Sequence, residues 1–401
     1  MSYSVLHDKM TASFLLGACG DALGAPIEIF KLDTITKKYG EDGLQNLIAS
    51  ENNYGDEKNY PLGQITDDTT MAMTTAAGII LARPDQPQDF TQRLKHYLWQ
   101  GYLNWGTYQE DDVTIQNMIK KKIDRHIIWP EPVSDFWNAM GAGRGTMACL
   151  MQDAPGSIES PLNYDCTIRG KNVKGPNKGC GGMMRVIPVG FLPGWSPERI
   201  FELGCKTAAL THGDQDAYVA TGVIALYVHM ATHDLTMKQI LTETHTVLEQ
   251  YRDHPLYSDG VMHAQNTLYY TAHEAETAPC DMLVMNALPA SLDYNNAFLA
   301  IPVLAQTTYA LYSMGLNDHV ERQQIKDTLL LAINHGGDSD SVAAMVGNVM
   351  GTRYGCDILP YDWIEQLPQH KEIAQMADIF YNSLSSSPTQ KPQPGQRPAP
   401  L

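Results

Sequence analysis

Positive charge is scarce in this chain: 28 Lys and Arg stand against 45 Asp and Glu, for a formal net charge of −17 over 401 residues. No basic stripe is available to neutralise a run of phosphates, so direct nucleic-acid binding is not expected. An acidic chain suits a cationic or neutral partner, although acidity can also serve solubility alone. Cysteine is sparse and unpaired. Cys19, Cys149, Cys166, Cys180, Cys205, Cys280 and Cys356 are scattered and odd in number, with no C-x-x-C pair, which points to a reducing compartment. A run of 18 apolar residues is lacking, and "MSYSVLHDKMTASFLL" has no basic region leading into an apolar signal core. No membrane partner is therefore expected, and the cytoplasm is the expected location.

Missing motifs narrow the chemistry further. There is no G-x-S-x-G elbow, no Walker loop, and no G-x-G-x-x-G following a strand, so the readings as a serine hydrolase, a P-loop NTPase and a Rossmann protein all fail. His229 and His233 stand four apart without the glutamate of H-E-x-x-H and read as a helix face.

What is present is an ordinary globular composition, 43% hydrophobic and 18% charged, enough for a sizeable core in one large domain or two. Hydrophobic spacing predicts helices at about 6–20, 68–83, 88–104, 196–211, 214–232, 236–251, 297–313, 321–334 and 340–353, with few alternating runs, hence an all-α bundle. Pro84 should end the second, and Ser196 with Pro197 should start the fourth. Residues 105–185, rich in Gly, Asn and Pro, read as long loops within a domain spanning 1–382. The tract "SLSSSPTQKPQPGQRPAP" over 383–400 reads as a disordered tail.

Two acidic clusters carry the chemistry. "TDDTTMAM" places Thr66, Asp67 and Asp68 before a helix, and "GGDSDSVAAMVGNVMG" places Asp338, Asp340 and Ser341 at the start of another. Four carboxylates with flanking hydroxyls are hard oxygen ligands that suit Mg²⁺, Mn²⁺ or Ca²⁺ and could hold two divalent ions. Either cluster alone also fits a helix N-cap. In the second helix Ala343, Gly347 and Gly351 form a small-residue ridge that permits very close packing. "GACGDALGAPIE" sets Asp21 and Glu28 around a Gly-Ala-Pro turn able to present a carboxylate rigidly, or simply to end a helix. "GCGGMMRVIPVG" offers backbone N–H groups suited to a diphosphate. His212, in "THGDQDAY", joins two predicted helices, where a lone histidine is more often structural than catalytic.

Taken in order, "GDALGAPIE", "TDDTTMAM", "GCGGMMRVIPVG", "LTHGDQDAY" and "GGDSDSVAAMVGNVMG" closely resemble the ADP-ribosylglycohydrolase family, which includes the dinitrogenase reductase-activating glycohydrolases and the ADP-ribosylarginine hydrolases. The resemblance covers residues 20 to about 355. It implies a compact, orthogonal multi-helix fold with two Mg²⁺ or Mn²⁺ ions held by Thr66, Asp67, Asp68, Asp338, Asp340 and Ser341. The last of these positions is commonly Thr in the family. The resemblance further implies substrate binding at Gly181 and Gly182, the diphosphate loop, and at His212, with Asp68 and Glu28 as the candidates for proton handling. The implied reaction releases ADP-ribose from a modified protein side chain, arginine before serine, with the ions orienting the distal ribose and a water. Competing expectations are a protein that binds and blocks an ADP-ribosyltransferase toxin, a degenerate structural relative, and a hydrolase acting on free nucleotides.

Overall fold

The structure, a computed structural model, describes residues 3–49, 61–109, 112–137, 141–291, 297–314 and 320–385. The fold is all-α, and each helix expected from spacing is present: Tyr3–Gly24, Asp67–Ala82, Phe90–Gly106, Pro197–Ala208, Gln215–Thr232, Met237–Glu249, Ala300–Ser313, Arg322–Ile333 and Ser339–Tyr354. Their ends obey local chemistry. Ser196 Oγ accepts from Arg199 N, Thr236 and Gln239 form a capping box, and Arg83, in the left-handed region just before Pro84, closes the second helix.

Helices Tyr3–Gly24 and Ser339–Tyr354 form the centre of the core. They run antiparallel, because Ser13 Oγ donates to Asn348 O (3.0 Å) while Gly24 lies against Asp340 and Gly351 against Ala12. The predicted ridge is where they meet. A methyl group on Gly347 would overlap the Leu16 carbonyl, and one on Gly20 would overlap that of Ala343. Glycine here is a requirement of backbone-to-backbone approach. Gly347→Val should therefore destabilise the protein by at least ~1–3 kcal/mol, the usual range for overpacking, read as a lower denaturant midpoint. An unchanged midpoint would remove this account of the pair.

On the same helix Val342, Met345, Val346 and Val349 keep the i, i+3, i+4, i+7 spacing of one face, with the small-residue ridge beside it. Every residue from Ser339 to Arg353 is buried, as befits a helix surrounded by others. The stretch Val5–Ile27 has the length and mean hydropathy, 1.2, to cross a membrane, but 89% of it is buried inside the fold. Its apolar character serves helix packing.

Composition underestimated the order of 105–185. That segment holds helices Val113–Lys120 and Arg144–Leu150 and a hairpin, Asp165–Ile168 paired antiparallel with Lys171–Lys174. Arg169 (φ 47°) and Gly170 (φ 70°) make the two-residue turn, whose twist matches that of the strands. The Arg169 guanidinium donates to Ala142 O (2.9 Å) and Gln109 O (2.7 Å) and ties the hairpin tip to the loop after residue 140. Spacing also missed helices Ser258–Thr277 and His370–Ser385. The latter contains residues 383–385, so the expected tail does not begin there; residues 386–401 lie outside the described ones.

Candidate metal centre

The antiparallel core pair sets the site. The C-terminal end of Tyr3–Gly24 meets the N-terminal end of Ser339–Tyr354 through Gly24 and Asp340, and the start of Asp67–Ala82 is drawn to the same place by Asp21. Asp21, fully buried, accepts from Thr66 N (3.0 Å), Thr66 Oγ1 (2.8 Å), Thr69 N (3.1 Å) and Thr69 Oγ1 (2.5 Å). It therefore supplies the capping that the first turn of this helix needs. Thr66 Oγ1 also accepts from Asp68 N (3.3 Å). The side chains of Asp67 and Asp68 are left free of that duty.

The second cluster behaves alike. Asp338 occupies the N-cap position yet makes no side-chain cap hydrogen bond, while Asp340 Oδ1 accepts from Ser341 N (2.9 Å). The capping explanation thus fails for three of the four expected carboxylates: Asp67, Asp68 and Asp338.

Two groups of carboxylates have oxygens within 4.8 Å of one another: Asp21, Asp68 and Asp340, and Glu28, Asp338 and Asp340. Asp340 belongs to both. Of the residues expected at the metals, Asp68, Asp338 and Asp340 are brought together, joined by Glu28. Thr66 borders the first group through an Oγ1–Asp68 Oδ2 distance of 3.2 Å. The Ser341 hydroxyl lies 3.9 Å from Cys180 Sγ. Asp67 stands outside both groups, its carboxylate against Gly141, where a methyl group would overlap it. Asp21 and Cys180 were not expected at the centre. Cys180 Sγ lies 2.6 Å from Asp338 Oδ2.

The electrostatics are one-sided. Burial, then the charge of Asp21, pushes Asp68 well above the ordinary carboxylate range; burial, then Asp338, does so for Glu28; and burial, then Glu28, for Asp340. Asp67 is pushed up to about 8 by burial, with Asp21 and Asp338 adding to it. Asp21 and Asp338 are raised by burial, against their hydrogen bonds. Helix N-termini favour carboxylates by roughly 0.3–1 kcal/mol each, up to about 2 when partly buried, whereas burying an ion costs several kcal/mol. The dipoles cannot balance this set. Asp68 Oδ1 and Glu28 Oε2 are moreover buried without a hydrogen-bond partner among the described residues. Buried oxygen donors of this density fit a hard divalent cation.

The glycine-rich stretch passes beside the centre through Cys180. Gly182 is buried, and a methyl group there would come 2.8 Å from Thr221 Oγ1, so packing alone already demands glycine. Gly181 faces His212, where a methyl group would sit 3.0 Å from Nε2. Arg185, buried over the Tyr102 ring at 4.1 Å, donates to Thr211 Oγ1 (2.6 Å), and Thr211 Oγ1 lies 2.8 Å from His212 Nδ1. The threonine hydroxyl, accepting from Arg185, donates to Nδ1, which leaves Nε2 as a donor toward Gly181, while Arg185 Nε is buried without a partner among the described residues. Burial and the nearby Arg185 hold His212 well below its usual pKa, as a neutral imidazole.

The ADP-ribosylglycohydrolase profile matches residues 2–389. The chain belongs to the ADP-ribosylglycohydrolase family. It is 36% identical to the ADP-ribosylarginine hydrolase Tri1 of Pseudomonas putida over 94% of this chain and 78% of that protein. It is 20% identical to the ADP-ribosyl-[dinitrogen reductase] glycohydrolase of Rhodospirillum rubrum over 94% and 96%. A solved ADP-ribosylglycohydrolase-related protein complex shares the fold at a TM-score of 0.54 and 19% identity, covering 95% of this chain and 99% of that one. For an ADP-ribosylglycohydrolase, clustered carboxylates at the meeting point of three helices are the candidate site of hydrolysis.

Proposed function

We propose that this ADP-ribosylglycohydrolase cleaves the N-glycosidic bond between ADP-ribose and a protein arginine, with Mg²⁺ or Mn²⁺ held by the two carboxylate groups that share Asp340. The observation that carries the reading is this shared cluster, in which each group's oxygens lie within 4.8 Å and in which Asp68 and Asp338 are not used up in capping. In the proposed arrangement Asp68, Asp338, Asp340 and Glu28 hold the cations, with Thr66, Asp67 and Ser341 beside them. Bound divalent ions supply orientation of the ribose hydroxyls and of a water.

The chain's own groups do the rest. Asp68 Oδ1 has no hydrogen-bond partner among the described residues and is the atom we assign to accept a proton from the attacking water. Glu28, at the edge of the cluster and raised by burial, is the alternative proton carrier. The neutral His212 presents an Nε2 donor beside Gly181, suited to a diphosphate oxygen or ribose hydroxyl. A cavity of about 340 Å³ opens at Glu28 and is lined also by Phe30, Lys31, Asp33, Asn286 and Phe298. Carboxylates and aromatic rings together suit a planar guanidinium, which favours arginine as the leaving group, as does the likeness to the ADP-ribosylarginine hydrolase of Pseudomonas putida.

The test is release of ADP-ribose from arginine-modified protein in the presence of Mg²⁺ or Mn²⁺, set beside serine-modified protein. Cation-dependent release from arginine, at least about tenfold faster than from serine, is the expected result, tenfold being about 1.4 kcal/mol in the barrier. Preference for serine would overturn the choice of leaving group, and inactivity on both would overturn the hydrolase reading in favour of a binding role.

A further inference from the structure

Arg185 is a buried cation with no carboxylate in hydrogen-bond reach among the described residues. Its Nη2 donates to Thr211 Oγ1 (2.6 Å), its Nη1 lies 4.0 Å from Met71 Sδ, and its Nε is buried without a partner. The guanidinium rests on the Tyr102 ring at 4.1 Å, and the Tyr102 hydroxyl lies 2.8 Å from Thr75 Oγ1. Met71 and Thr75 follow Asp67 in steps of four residues, so Arg185 sits against the face of helix Asp67–Ala82 that Asp67 begins. On its other side it reaches His212 through Thr211, whose Oγ1 lies 2.8 Å from Nδ1. Burying a charge outside an ion pair is costly, and an unsatisfied buried group calls for a reason.

We propose that Arg185 is a positioning residue for substrate recognition: through Thr211 it locks His212 in the tautomer that carries its proton on Nε2, the nitrogen beside Gly181. This rests on the placement of His212 at the substrate given above. Arginine only donates, so Thr211 Oγ1 accepts from it and the hydroxyl's own hydrogen is free for Nδ1. A hydroxyl oxygen has a second lone pair and could accept from an Nδ1–H as well. The guanidinium decides between the two, because its charge attracts the lone pair of a bare Nδ1 and repels the positive end of an Nδ1–H bond. The backbone holds both residues in place, since Thr211 N (3.0 Å) and His212 N (2.8 Å) donate to the same Ala208 oxygen. On the far side of the ring a methyl group on Gly181 would lie 3.0 Å from Nε2 and 3.1 Å from Cε1, so glycine leaves Nε2 uncovered there. An Nε2–H offers a hydrogen to a diphosphate or ribose oxygen, whereas the opposite tautomer would turn a lone pair toward it.

Nitrogen NMR of the full chain, isotope-labelled at histidine, reads the tautomer directly, because protonated and bare ring nitrogens resonate far apart. His212, identified by the signals missing from His212→Gln, is expected to show a protonated Nε2 and a bare Nδ1. In Arg185→Met the hydroxyl is released to accept from Nδ1, and the two signals should converge, as they do when tautomers exchange. Arg185→Lys, which keeps the charge, should keep them apart. Affinity for free ADP-ribose should fall at least about tenfold in Arg185→Met, the scale of one hydrogen bond to a charged group, with Mn²⁺ binding unchanged. Should Arg185→Met fail to fold, Thr211→Val against Thr211→Ser puts the same question, the hydroxyl being lost in one and kept in the other. Separate signals and unchanged ADP-ribose affinity in folded Arg185→Met would make Arg185 a packing residue and overturn the proposal, as would a wild-type Nδ1 that carries the proton. A parallel fall in Mn²⁺ affinity would mean a general loss of packing and overturn it too. Converged signals with unchanged ADP-ribose affinity would overturn the role in recognition and, with it, the placement of His212 at the substrate. Inactivity toward every ADP-ribosylated protein, with the tautomer and ADP-ribose binding as expected, would overturn the proposed hydrolysis alone.

Discussion

Asp340→Ala is expected to lose cation-dependent ADP-ribose release by on the order of 10²–10³-fold or more, the scale seen when one preorganised electrostatic group is removed from an active site. Asp340 is chosen because its oxygens belong to both carboxylate groups. Its removal should weaken both cations together, whereas Glu28→Ala should spare the group formed by Asp21, Asp68 and Asp340. Isothermal titration with Mn²⁺ separates the two cases. The Asp340 variant should show neither binding event, and the Glu28 variant should keep one. Folding should survive, since removing this carboxylate relieves repulsion with Glu28, Asp68, Asp338 and Asp21. Full activity in Asp340→Ala, with an unchanged titration, would remove the shared-ligand geometry from the account.

Stripping the metal should reverse the usual dependence of stability on pH. In the cation-free protein the site carboxylates are raised above their ordinary values, Asp67 to about 8, so folding takes up protons. Stability from these groups is fully present below the unfolded carboxylate values of about 4 and is lost as pH rises through about 8. Thermal midpoints in chelator should therefore fall from pH 5.5 to pH 9. Saturating Mg²⁺ should flatten the fall, because the cation replaces the protons, and should stabilise most at the alkaline end. A metal-free midpoint that rises or stays level over that range would mean that the carboxylates are neutralised by some other means.

The two acidic clusters were legible because helix starts announce themselves by residue type: Thr66 and Asp338 do stand at N-cap positions. That they converge was not legible from spacing. It follows from Gly17, Gly20 and Gly24 facing Asn348, Ala343 and Asp340, and of the two matching ridges only the one on the second helix had been noticed. Asp21 shows the same limit. Its turn was visible in the sequence, but its four donors lie 45 and 48 residues away, where no periodicity reaches. Cys180 is farther still from Asp338, by 158 residues, and in the sequence it was one scattered thiol among seven. The central helix is buried from Ser339 to Arg353, because a helix packed on every side has no solvent face to alternate with. The hairpin within 105–185 was hidden by brevity, since four-residue strands carry too few alternations to stand out from a polar loop.

The close contact of the two central helices, Tyr3–Gly24 and Ser339–Tyr354, has a consequence for biosynthesis. Asp21 and Glu28 leave the ribosome more than 300 residues before Asp338 and Asp340 do, and the backbone approach that unites them joins Ser13 to Asn348, 335 positions apart. Before residue 338 emerges, a nascent chain therefore carries two of the three carboxylates of one group and one of the three of the other. The cations cannot template early folding and are acquired only once residues near 354 have emerged, so a chain truncated before Asp338 retains most of the helices but no centre. Such late closure of a long loop is slow.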